Sequence, residues 1–132
     1  MLNLFPTMFL ALLAYATLRV CVGGTLLYYG HRHLLRERES LMNAWRSLPL
    51  VGKHAVFAFG AVELLAGGMF VAGFLTQAAA LTTLVFSATM LIFKKQLSHT
   101  SIPHPIYYVM LLAASASLFI TGAGVFAFDL PI

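Results

Sequence analysis

Four apolar segments fill most of this chain, and they constrain its fold more than any other feature. They run from about Leu4 to Gly30, Leu48 to Ala72, Ala78 to Phe93 and Pro105 to Val125. A helix needs about 20 residues at 1.5 Å each to cross about 30 Å of hydrocarbon. The first, second and fourth segments meet that length. The third is short, and spans only if Lys94 and Lys95 reach outward to the headgroups or the flanks add a turn. Hydrophobic residues make up 61% of the chain and charged residues 9%. A water-soluble domain is nearer one half and one quarter. The expected fold is therefore all-α: a single domain over 1–132, an integral membrane four-helix bundle with a short amphipathic interfacial helix between helices one and two.

The N-terminal "FLALLAYA" is apolar and ends in an A-x-A pattern, as a signal peptide does. No basic residue precedes it, so it reads as a retained helix. The connection "GFLT", residues 73–76, is so short that helices two and three must be antiparallel neighbours, with Gly73 as C-cap and Thr76 as N-cap.

Charge is one-sided. Residues 31–47 carry Arg32, Arg36, Arg38 and Arg46, Lys53 follows, and the connection after the third segment carries Lys94 and Lys95. Four spans place both basic connections on one side. The positive-inside rule makes that side cytoplasmic and leaves both termini outside, as in a bacterial inner-membrane protein. In "HLLRERESLMNAWRS" and the leucine that follows it, Leu34, Leu35, Leu41, Met42, Trp45 and Leu48 share a helical face. An amphipathic helix there would lie against anionic lipid headgroups, attracted by about 1 kcal/mol per basic residue. Lipid phosphate accounts for the basic loop, so nucleic acid is not an expected partner.

Two charges lie deep within the apolar segments: Arg19 in the first and Glu63 in the second. Measured from the basic edge, Arg19 lies about 18 Å before His31 and Glu63 about 15 Å after Lys53. Similar depth on consecutive antiparallel helices predicts an Arg19–Glu63 ion pair. An unpaired charge at mid-bilayer costs at least about 2.5 kcal/mol, and a guanidinium can hold a carboxylate through two hydrogen bonds. Such a pair would latch helix register, line a polar pocket for a small ligand, or relay protons; these roles can coexist. Gly23 and Gly24 follow Arg19, and Gly67 and Gly68 follow Glu63. On this depth match the two glycine doublets fall on opposite sides of the charged layer. Close helix packing explains both doublets, and "AASAS", residues 113–117, gives the fourth helix a similar face.

The remaining chemistry is sparse. Cys21, the single cysteine, reads as a small buried apolar side chain. All five histidines, His31, His33, His54, His99 and His104, fall near the basic edge. His54 and His104 stand at suitable helix ends for haem, but no paired spacing accompanies them, so neither haem nor a metal site is expected. Phosphate loops, nucleophile elbows and carboxylate pairs do not occur.

The order Arg19, Gly23 and Gly30, then Glu63, Gly67, Gly68 and Gly73, closed by "TGAGVFAFD" at 121–129, resembles the DoxX-like family of small four-helix membrane proteins. His31 stands where that family usually has lysine. The resemblance implies a membrane subunit associated with sulfur or thiol redox chemistry, as in thiosulfate:quinone oxidoreductase systems. A quinone is then the candidate ligand, other membrane-complex subunits are the expected partners, and an electron carrier would come from a partner. A non-catalytic accessory subunit is the alternative expectation.

Overall fold

The computed structural model describes residues 7–46, 53–100 and 102–122. Five α-helices occur among them: α1 (Thr7–His31), α2 (Arg38–Trp45), α3 (Lys53–Ala72), α4 (Thr76–Ile92) and α5 (Pro105–Thr121). A π-helical turn, Arg32–Arg36, continues α1. The protein is all-α, as the sequence predicts. Two helices are long and apolar enough by length and composition to cross a membrane, Met8–Arg36 and His54–Ala72. The third and fourth expected spans are apolar helices of 17 residues each, about 26 Å long. Residues 123–125 of the last predicted span lie outside the described residues, as does Leu48 of the predicted amphipathic face.

The helices pack chiefly as two pairs, α1 on α3 and α4 on α5, with α3 also lying on α4. Glycines set the first pair. A Cβ on Gly23 would lie 2.9 Å from the Gly67 carbonyl, and one on Gly67 would lie 2.9 Å from the Gly23 carbonyl. Seven residues along α1, a Cβ on Gly30 would lie 2.9 Å from the Leu64 amide and 3.0 Å from Glu63 Cβ. These are backbone contacts that only glycine permits, as small residues do in membrane helix pairs. The glycine doublets therefore share one level, and the expectation that a charged layer divides them is wrong. Gly24 and Gly68 meet nothing within 4 Å, so one glycine of each doublet carries the contact.

From α1 into the π turn, Ala16, Arg19, Gly23, Leu26, Gly30 and His33 form one buried stripe, with Val22 buried beside it. The steps alternate between three and four, the spacing of a helical seam. Val56, Phe59, Glu63, Ala66 and Phe70 form the facing stripe on α3. The α3–α4 turn closes as a Schellman motif: Phe74 N donates to Met69 O at 3.0 Å and Gly73 N to Phe70 O at 3.2 Å. Gly73, at φ 68°, supplies the left-handed residue as expected. The N-cap of α4 is Leu75 rather than Thr76, and Leu75 takes φ 48°. Thr76 is instead the fully buried first residue of α4.

The amphipathic helix exists as α2, but its apolar face turns into the bundle. Leu41 and Trp45 are buried, and the Trp45 ring meets Phe59 edge to face at 5.4 Å. Leu35 stays exposed, because the π turn changes the helical phase between Leu35 and Leu41. Arg32 closes that turn: its Nε and Nη2 both reach Glu37 Oε1, at 2.7 and 2.6 Å, and Glu37 N donates to Arg32 O at 3.0 Å.

Candidate functional site

The stripe on α1 ends in a buried base, and α3 presents a buried acid to it. His33 Nδ1 lies 2.6 Å from Glu63 Oε2, and both side chains are fully buried. Two local features bring them together. Gly30, one turn before His33, lets α3 approach until Glu63 Cβ touches the α1 backbone. The π turn then holds His33 inward, while the Arg32–Glu37 ion pair takes the flanking charges out to the rim. Single π turns inside α-helices recur at functional sites.

Aromatic rings seal the pair. Tyr29 stacks on the His33 ring, with centroids 6.0 Å apart at 25°, and Phe59 lies 5.1 Å away. Tyr29 also meets Tyr107 of α5 at 4.9 Å, and Phe59 meets Phe86 of α4 at 5.0 Å. Every long helix thus contributes a ring or a charge to this layer. Tyr107 and Tyr108 both lie within electrostatic reach of the Glu63 carboxylate.

The hydrogen-bond inventory is incomplete. Glu63 Oε1 and the Tyr108 hydroxyl are buried and have no hydrogen-bond partner, whereas the Tyr107 hydroxyl lies within reach of the Thr25 side chain. Buried polar groups are normally satisfied, because leaving one unmade costs about 1–3 kcal/mol. Glu63 Oε1 is thus a buried carboxyl oxygen left open beside His33.

The pair itself can hold one proton in two places. An imidazolium beside a carboxylate and a neutral imidazole beside a carboxylic acid contain the same number of protons. Transfer across 2.6 Å therefore moves charge without changing the net charge of the buried site. Where water is excluded, that exchange avoids an uncompensated charge, which costs several kcal/mol.

The expected Arg19–Glu63 pair is not formed; Glu63 takes His33 instead. Arg19 precedes Gly30 by eleven residues, which separates it from the level of Glu63 by about 16 Å. The depth match failed because it aligned His31 with Lys53 as a common edge, whereas glycine contact aligns Gly30 with Glu63. Arg19 is buried, 2% exposed, and engaged in interactions of its own. His33 was missed as a site residue because it stands among edge charges. Its place on the three-and-four stripe through Arg19, Gly23, Leu26 and Gly30 is the signal that identifies it.

The other histidines separate. His31, His54 and His104 are exposed. His99 is half-buried, with its Nε2 3.3 Å from Ser40 Oγ. Among the described residues no group of three metal-ligating side chains gathers. Cys21 is exposed rather than buried, since it lies on the face of α1 turned away from α3.

Fold and site together define a small helical membrane protein with a buried acid–base pair. Residues 14–96 match the family model DoxX, and the chain belongs to the DoxX family. No curated protein and no solved structure gives a significant match.

Proposed function

We propose that this protein is a membrane subunit of a quinone-linked redox assembly in which His33 and Glu63 hold and pass a proton. The observation that carries the reading is the buried 2.6 Å contact between His33 and Glu63, with Glu63 Oε1 left open. Intramembrane ionisable residues often mark proton and substrate paths. Family membership favours the redox setting, since DoxX-like proteins include subunits of thiosulfate:quinone oxidoreductases. A quinone carbonyl would take its proton at Glu63 Oε1, beside the Tyr29 and His33 rings. When bound, the quinone accepts electrons brought by a partner subunit. This chain excludes water, orients the headgroup and supplies a proton through Glu63.

In this reading all four long helices cross the bilayer as a four-helix bundle of the bacterial inner membrane. The 17-residue α4 and α5 are accommodated by local thinning and by Lys94 and Lys95 reaching the headgroups. Basic connections face the cytoplasm, both termini lie outside, and the exposed Arg36, Arg38 and Arg46 meet anionic lipid headgroups. The large exposed apolar side chains, Met8, Phe9, Leu65, Ile92, Met110 and Ile120 among them, then face lipid.

An accessory, non-catalytic subunit is the second reading. It is favoured by how little of the described chain, α2 and the short connections, stands outside the long helices. The two separate on one experiment. The native assembly is purified with wild-type, Glu63→Gln and His33→Gln subunits, and quinone-linked turnover is measured beside subunit recovery. The proton role predicts turnover reduced tenfold or more with recovery intact. Retained turnover with lower recovery or thermal stability supports the accessory role and rejects the proton role.

A further inference from the structure

A second site lies apart from the buried pair, where α4 ends and α5 begins. A cavity of about 350 Å³ opens there, walled by residues of 94–100 and 102–104 and by the first turn of α5. Its polar lining is Lys94, Ser98, His99, Thr100, His104 and Tyr108. No carboxylate is among the lining residues. We propose that this cavity binds a phosphate group, carried either by free inorganic phosphate or by the headgroup of an anionic lipid.

The argument starts from what each side chain offers. Lys94 brings a fixed positive charge and three donors. Ser98 and Thr100 bring hydroxyls that rotate to suit an oxygen. His104 caps α5: its Nδ1 accepts the Ile106 amide at 3.4 Å, so the ring proton sits on Nε2 as a donor. His99 is anchored to α2 through Ser40, which holds the connection against the bundle. The connection is itself folded, with Ile102 N donating to His99 O and Leu97 N to Phe93 O, both at 3.0 Å. The α5 N-terminus adds its partial positive charge to the same space.

Tyr108 points independently to a ligand. The residue is 2% exposed, lines the cavity, and carries a buried hydroxyl with no hydrogen-bond partner. Lys94, the Ser98 and Thr100 hydroxyls and the His99 and His104 rings line one space without a carboxylate, and the buried Tyr108 hydroxyl lies behind its wall. Tetrahedral oxyanions meet that demand, because each of their oxygens accepts more than one bond. Met90, Leu97 and Ile102 line the rest of the wall and suit the glycerol and upper acyl carbons of a lipid. The site goes beyond the proton reading and stands without it, since it uses neither His33 nor Glu63.

The test uses the full chain, labelled with ¹⁵N-histidine, in phosphatidylcholine nanodiscs at constant ionic strength. One arm titrates inorganic phosphate against chloride, and the other replaces part of the lipid with phosphatidylglycerol. The expected result is a saturable shift of the His99 and His104 resonances in at least one arm, with His31 and His54 unmoved. The responding arm identifies the source of the phosphate. Lys94→Gln weakens the response tenfold or more, and Tyr108→Phe weakens it several-fold. Should either variant fail to fold by circular dichroism, the wild-type titration still decides. Absence of a shift in both arms overturns the proposal. So does an equal shift at all exposed histidines, which signals surface charge alone, or a response that survives Lys94→Gln unchanged.

Discussion

Glu63 reaches His33, thirty residues earlier in the chain, because Gly30 leaves no side chain between α1 and α3. The ion pair at 2.6 Å and the missing Cβ at Gly30 are one structural fact seen at two levels. Glycine contact sets the helix register, and the register decides which polar groups meet. Charge then stabilises an arrangement that packing has already selected.

The two glycines of each doublet should behave oppositely. Alanine at Gly23 or Gly67 places a methyl 2.9 Å from a backbone carbonyl that cannot retreat, so the helices must separate. Overpacking of this kind costs about 1–3 kcal/mol. Alanine at Gly24 or Gly68 meets open space and should change stability by less than about 0.5 kcal/mol. Denaturation in detergent micelles compares the four variants, and equal effects within a doublet would refute the register.

Trp45 is the single tryptophan of the chain and packs on Phe59 with only 3% of its surface exposed. Its emission should be blue-shifted and shielded from water-soluble quenchers. Phe59→Ala should red-shift it and raise quencher access, because α2 loses the ring it rests on. Trp45→Ala should destabilise the protein by about 3 kcal/mol. A fully quenchable tryptophan would place α2 on the lipid surface instead of against the bundle.

Tyr108→Phe removes a buried hydroxyl that bonds to no protein group. In phosphate-free detergent the change should be neutral or stabilising by up to about 1 kcal/mol, since an unmet polar group leaves the interior. Leu111→Ala, on the same face of α5, should cost about 2–5 kcal/mol in the same measurement. A destabilising Tyr108→Phe would reveal a protein partner for that hydroxyl.

Much of this was legible in the sequence. Apolar runs located α1, α3, α4 and α5, and Gly73 located the turn between α3 and α4. The amphipathic pattern located α2 but not its burial, because periodicity marks an apolar face without saying whether lipid or protein covers it. The partner of Glu63 was the larger miss. Charges attract at any register, so pairing Arg19 with Glu63 by depth required a common edge for two helices of unequal length. Glycines contact only at one register, and matching Gly23 with Gly67 would have placed Glu63 level with Leu27, one turn from Gly30 and about 12 Å from Arg19. The π turn left no evident trace, since nothing in "RHLLR" distinguishes it from an α-helical turn.

The most direct test is a pair of double-mutant cycles on stability, one joining His33→Gln with Glu63→Gln and the other joining Arg19→Gln with Glu63→Gln. Residues in contact couple by about 0.5–3 kcal/mol, whereas residues beyond about 7–10 Å add within about 0.5 kcal/mol. The structure predicts a coupling of at least about 1 kcal/mol between His33 and Glu63, and additivity between Arg19 and Glu63. Strong coupling of Arg19 to Glu63, with His33 and Glu63 additive, would contradict the buried acid–base pair and the helix register beneath it.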